Sequence, residues 1–199
     1  MRPRRRERVK QSAGTGRLDG QVALVTGGAI RLGRAISLAL GRQGCRVAVN
    51  YLRSRPAAVA TASQIRALGV DAVPIRADVA NPSDVKRLVA ETVRRFGRLD
   101  LLVNNAGIFF RTPLADTTAA QWDRLLDVNL RGPFLLSQAA ARIIAATGGR
   151  IVNIGDGGGI RAWPSYIPYC VSKAGLLMLT KALALALAPR IQVNCVAPG

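Results

Sequence analysis

"VALVTGGAIRLGRAI", residues 22–36, changes character within one short stretch. The apolar run Val22 to Val25 ends in Thr26-Gly27-Gly28, and Arg34-Ala35-Ile36 opens a helical pattern. A strand that turns through glycine into a helix is a place to receive a phosphate. Glycine lets the backbone approach, and the helix N-terminus stabilises the charge. A tight strand-to-helix connection without a ligand uses the same glycines, so the turn alone settles nothing. Arg31 stands where a third glycine is expected. A long cation there needs a reason.

Outward from this turn, short β-rich runs alternate with helical patterns. Strands are expected at 21–26, 46–51, 71–76, 99–103, 150–155 and 191–197, with helices at 31–43, 56–69, 82–96, 118–147 and 167–188. Val22-Ala23-Leu24-Val25 and Leu101-Leu102-Val103 are apolar throughout, as strands covered on both faces should be. Strict alternation predicts an α/β fold with a doubly wound parallel sheet of six strands and right-handed crossovers. The segment 118–147 is long for one helix, and Gly132-Pro133 is expected to bend it.

The chain has 199 residues, one domain's worth, and a formal net charge of +18. Residues 1–17 hold Arg2, Arg4, Arg5, Arg6, Arg8, Lys10 and Arg17 against the single Glu7. This basic tail is expected to be disordered, and it lacks the apolar centre of a secretory signal. A solvated tail, an early start codon, an organelle address and a nucleic-acid arm stay open for it. Residues 18–199 read as one domain, whose excess charge attracts polyanions or an anionic small molecule.

No apolar run reaches the ~18 residues of a membrane span. The longest, Ala174 to Ala188, is interrupted by Thr180 and Lys181, so no membrane helix is expected. Cys45, Cys170 and Cys195 are scattered without a CxxC, as reduced thiols in a cytoplasmic protein would be. Histidine is absent. That excludes Ser-His-Asp chemistry and His-ligated zinc, no metal site is expected, and acid–base work falls to Tyr, Lys, Asp or Cys.

In a doubly wound sheet the ligand lies at the carboxyl ends of the strands. After the second strand stands Asn50-Tyr51-Leu52-Arg53-Ser54, with no carboxylate for a ribose 2′-hydroxyl. Arg53 offers a planar fork with Ser54 beside it, which favours a 2′-phosphate and hence NADPH. An exposed basic loop is the plain alternative. Asp78-Val79 follows the third strand, and Asn104-Asn105-Ala106-Gly107 the fourth. After the fifth comes Asp156, then Tyr169 thirteen residues on and Lys173 four further. Tyr169 and Lys173 share one helix face. A cation there is expected to bring the phenol's pKa down from ~10.

Together, Thr26-Gly27 with Gly33, Asn104-Asn105-Ala106-Gly107, Asn129 in "VNL", Tyr169-x-x-x-Lys173 and the closing "APG" resemble the short-chain dehydrogenase/reductase family over residues 20–199. The resemblance implies a Rossmann-type three-layer domain and a nicotinamide cofactor, NADPH/NADP. It implies a catalytic set of Tyr169, Lys173, Asn129 and Asp156. Tyr169 would be the proton donor, Lys173 would hold the ribose, and Asn129 would support a water relay. The cofactor would lie against Gly27, Arg31, Leu32, Gly33, Asn50, Tyr51, Arg53, Ser54, Asp78, Val79, Asn105, Ala106, Gly107, Tyr169 and Lys173. It also implies a homodimer or homotetramer through helices 118–147 and 167–188, and a last strand that this sequence lacks.

Two departures narrow the resemblance. Arg31 replaces the turn's third glycine, and Asp156 replaces the family's serine. Both are similar to the pteridine reductase-like branch, as are "NYLRS" and Phe109. There Arg31, Phe109, Asp156 and Tyr169 would contact a pterin whose C=N bond is reduced. Against this stand the plainer readings, with Arg31 a surface arginine, Asp156 a loop cap, Phe109 and Phe110 core residues, and Trp122 and Trp163 packing residues. A carbonyl or 3-oxoacyl reductase is the alternative function. A cofactor-sensing or nucleic-acid-binding module is disfavoured, because such a module need not keep Tyr169, Lys173 and Asn129 together.

Overall fold

The computed structural model describes residues 18–198, so the reading of the basic tail lies outside the described residues. Within them, six strands form one parallel sheet: β1 (Val22–Val25), β2 (Arg46–Tyr51), β3 (Ala72–Arg76), β4 (Leu101–Asn104), β5 (Arg150–Ile154) and β6 (Gln192–Val196). Their order is β3-β2-β1-β4-β5-β6, so the winding reverses between β1 and β4. That reversal is where a crevice opens at the carboxyl edge.

Successive residues of β1 face opposite layers, as strand geometry requires. Val22 and Leu24 join one apolar core with α3 (Pro82–Phe96), α5 (Gly132–Ala145) and α6 (Ile167–Leu187). Ala23 and Val25 join the other, with α1 (Arg31–Arg42) and α2 (Arg55–Ala67). The expected three-layer α/β fold is the one observed. Local signals set the helix starts. Asn81 accepts from the N–H groups of Ser83 and Asp84 at the head of α3, and Thr118 and Gln121 form a reciprocal cap on α4 (Ala119–Leu126).

The region 118–147 differs from its expectation. It does not simply bend at Gly132-Pro133. A π-helical turn, Asp127–Arg131, separates α4 from α5, and Pro133 lies in the first turn of α5, where its missing N–H costs nothing. A second difference concerns α6, a continuous 21-residue helix with a mean hydropathy of 1.6 in its most apolar window. By length and composition it could cross a membrane, which reading 174–188 as an interrupted run did not anticipate. Here it flanks the sheet, with Leu176 buried and Leu183, Ala184 and Leu187 packed on the core.

All three cysteines are free, and burial pushes the Cys45 thiol up to about 12. Buried polar groups tie the strands together. The Asp100 carboxylate, almost fully buried, accepts from Val22 N–H at 2.8 Å and from two nitrogens of Arg98 at 2.9 and 2.6 Å. Asp100→Ala leaves a buried N–H without a partner, an expected loss of about 2–3 kcal/mol in urea unfolding. Asp100→Asn, which keeps one acceptor oxygen, should lose clearly less. Equal losses in the two variants would refute this account.

Candidate active site

The turn after β1 is held by side chains from two neighbouring segments. Asn50 Oδ1 accepts from Gly27 N–H at 3.1 Å, while Asn50 Nδ2 donates to the carbonyls of Ile75 and Ala77. From the loop just after β4, Asn105 Nδ2 donates to the Thr26 carbonyl at 2.8 Å and to that of Gly27 at 3.2 Å. Thr26 Oγ1 accepts from the N–H groups of Asn105 and Ala106. A Cβ on Gly33 would collide with the Gly27 carbonyl and Asn105 Nδ2. Glycine at 33 is therefore a packing requirement.

Arg31 adopts φ +49, the left-handed region that glycine enters freely and other residues enter at about 1–2 kcal/mol. This explains why a glycine is expected there and shows what its replacement adds. The exposed arginine lines a cleft of about 350 Å³, together with Leu32, Asp78 and Val79, between the β1 turn and the Asn105-Ala106-Gly107 loop. An adjoining cavity of about 380 Å³ is lined by Tyr51, Arg53, Ser54, Phe110 and Arg124. Arg124, on α4, borders both. Three guanidinium groups against the single carboxylate of Asp78, beside a helix N-terminus, suit a polyphosphate. The residues present fit a dinucleotide.

At the far end, α6 carries Tyr169 and Lys173 on one face, both buried. Lys173 Nζ donates to the Ile154 carbonyl at 2.8 Å and lies 5.8 Å from the centre of the Tyr169 ring. Asp156 caps the short 3₁₀ turn Gly157–Gly159 through Gly158 N–H at 2.7 Å. Its carboxylate also faces the Tyr169 hydroxyl. Thus Asp156 is both the loop cap and a member of the Tyr169–Lys173 group. Asn129 sits in the π-helical turn, with its amide bridging the backbone N–H and carbonyl of Ile108 and reaching Ser172 Oγ at 3.2 Å.

The electrostatics reverse one expectation. Burial first, and then hydrogen bonding and repulsion from Asp156, hold the Tyr169 phenol well above its usual range. The cation does not bring it down, because burial outweighs it and the Asp156 carboxylate adds to the rise. Burial pushes the Lys173 ammonium below its usual range, partly opposed by Asp156. At neutral pH the Tyr169 phenol therefore keeps its proton.

Phe109 is half exposed and stacks on Tyr166, with ring centres 4.6 Å apart and planes 7° from parallel. Its edge meets Tyr169 at 4.7 Å, and Trp163 stacks on Tyr169 at 6.1 Å. Phe109 therefore belongs to an aromatic wall at the site, not to the core. Phe110 packs behind it with Leu125.

Several participants escaped the sequence reading. Tyr166 and Ser172 carry no motif, and nothing in the pattern of α4 singles out Arg124. Thr26 was in plain view in the opening stretch, but only the folded chain shows its hydroxyl joining β1 to β4. Asn50 and Asn105 line the cleft, and the amides of Asn50, Asn105 and Asn129 are at the same time held by neighbouring backbone groups, so they also shape the walls.

The short chain dehydrogenase family profile matches residues 21–199. Versicolorin reductase 1 of Aspergillus parasiticus is 41% identical over 92% of this chain and 70% of its own length. A 3-oxoacyl-acyl-carrier-protein reductase of Synechocystis is 41% identical over 92% of this chain and 74% of its own. Among solved structures, a dehydrogenase/reductase of Sinorhizobium meliloti superposes with a TM-score of 0.90 at 41% identity, covering 94% of this chain and 75% of that one. A short chain dehydrogenase of Burkholderia cenocepacia in complex with NADP gives 0.89 at 44% identity, covering 92% and 75%. The chain belongs to the short-chain dehydrogenase family, a family of oxidoreductases. None of these relatives bears a pteridine reductase name, and the 3-oxoacyl-acyl-carrier-protein reductase matches the alternative expectation, so the pteridine branch is not supported beyond the residues that first suggested it.

Asp156→Ser removes the acceptor and the charge that disfavour the phenolate. The Tyr169 phenolate, followed by its ultraviolet absorbance against a Tyr169→Phe reference, should then form at lower pH than in the unsubstituted chain. An unchanged or higher titration would show that Asp156 does not govern the phenol.

Proposed function

We propose that the chain is an NADPH-dependent carbonyl reductase acting on a small ketone or 3-oxoacyl substrate. One observation carries this reading: a phenol kept protonated, with a buried ammonium one helical turn away, stands at the end of a cationic cleft shaped for a dinucleotide. The relatives' names support it. Bound there, the nucleotide would supply a hydride. Tyr169 would donate its proton to the substrate oxygen as negative charge develops on it. Lys173, held by the Ile154 carbonyl, would place its ammonium beneath the phenol and toward a ribose. Asn129 fixes the Ile108 backbone and Ser172, and with them the distance between the β4 loop and α6. Arg53 and Ser54 would bind a 2′-phosphate, with no carboxylate beside them to hold a free ribose.

Reduction of a pterin C=N bond is a second reading, favoured by Asp156 and the aromatic wall. A flat heterocycle stacks on Phe109, and the carboxylate would accept from its N–H groups. We also assign self-association to α5 and α6, where Phe134, Val171, Met178 and Leu185 are exposed. The last three recur every seven residues on one helix face.

NADPH oxidation in the presence of a 3-oxoacyl thioester, a simple ketone or a dihydropterin tests both readings. Turnover of the carbonyl compounds, reduced about 10²–10⁴-fold by Tyr169→Phe, is the expected result. Turnover confined to the dihydropterin would select the second reading, and rates indifferent to Tyr169→Phe would refute both.

A further inference from the structure

Arg124 is placed unlike any residue that the family motifs mark. It projects from α4, outside the β1 turn and the β2 loop, yet borders both the main cleft and the adjoining cavity that contains Arg53 and Ser54. Val128, four residues on, lines the same cleft, so one face of this helical segment is turned toward it. The guanidinium is not consumed elsewhere. Its ion pair with Asp78 is long, Nη1 to Oδ2 at 3.9 Å, and the side chain is 43% exposed. By contrast, Arg95 pairs with Asp71 at 2.6 Å and Arg87 with Asp84 at 2.8 Å.

Arg124 from α4 and Arg53 from the β2 loop therefore line one cavity together with Ser54. The loop supplies no carboxylate. A dianion fits this arrangement, since planar forks approaching from two elements can each engage phosphate oxygens in a bidentate manner. Asp78 keeps Arg124 at the rim without neutralising it at close range.

We propose that Arg124 selects the cofactor: with Arg53 it clasps the adenosine 2′-phosphate, and it discriminates NADPH from NADH. This rests on the assignment of the cleft to a nicotinamide dinucleotide. It adds a residue from a separate element to the loop residues that the assignment already uses.

Calorimetric titration of the full chain with adenosine 2′,5′-bisphosphate and with 5′-AMP tests the proposal without catalysis. Arg124→Ala, at an exposed position, should weaken the bisphosphate by about tenfold or more, and 5′-AMP by less than about twofold. Arg124→Lys, which keeps the charge but loses the fork, should fall between. Arg190→Ala, exposed at the opposite end of the sheet, removes the same bulk charge and should change neither. Equal weakening of both ligands by Arg124→Ala, no weakening, or a matching loss in Arg190→Ala would overturn the selecting role and leave the cleft assignment standing. Failure of the unsubstituted chain to bind either ligand would overturn that assignment and the selecting role together.

Discussion

The site depends on a reciprocal clasp between the ends of β1 and β4. Thr26 Oγ1 accepts two backbone N–H groups from Asn105 and Ala106, and the Asn105 amide returns bonds to the Thr26 and Gly27 carbonyls. These strands border the point where the sheet's winding reverses, so the clasp forms the floor of the crevice. It also dictates sequence nearby. With Asn105 drawn against the turn, α1 passes so close that residue 33 has no room for a Cβ. The glycine pattern that resembles a phosphate motif is thus required first by this approach of backbone to backbone. Phosphate binding exploits a surface that packing has already made.

At the reacting end the decisive constraint is electrostatic. A phenol buried beside a carboxylate cannot readily ionise, and an ammonium buried beside the same carboxylate is held against its own desolvation. Asp156 therefore acts on both partners in one sense, favouring the protonated form of each, while burial is the larger influence on both. The phenol keeps its proton, which suits donation to a substrate and works against the reverse, oxidative role. A neutral serine at this position would still offer a hydrogen bond but would leave the phenol freer to ionise.

The fold was legible because each strand is a short apolar run bounded by turn residues, and parallel strands covered on both faces have no other pattern. Tyr169 and Lys173 were legible by spacing. What escaped was conformation and satisfaction. Nothing in the letters shows that Arg31 is held at φ +49, or that the amides of Asn50 and Asn129 are spent on backbone groups. The π-helical turn is equally silent, since Asp127 to Arg131 has ordinary helical composition. Arg124 falls in the same class. Its place at the cleft follows from where α4 lies against two loops, a relation with no local signature.

The distribution of acids completes the reasoning. Asp71, Asp84, Asp100 and Asp127 are each paired with an arginine. Asp78 lies in the cleft near Arg124, and Asp156 lies at Tyr169. The cleft is therefore polar along its length, with Arg31, Arg53 and Arg124 at one end and an acceptor facing a phenol at the other. A ligand with its negative charges gathered at one end is favoured with that end toward the three arginines. The strained Arg31 gains its purpose from the same field, since it adds a cation at the cleft where glycine would add none.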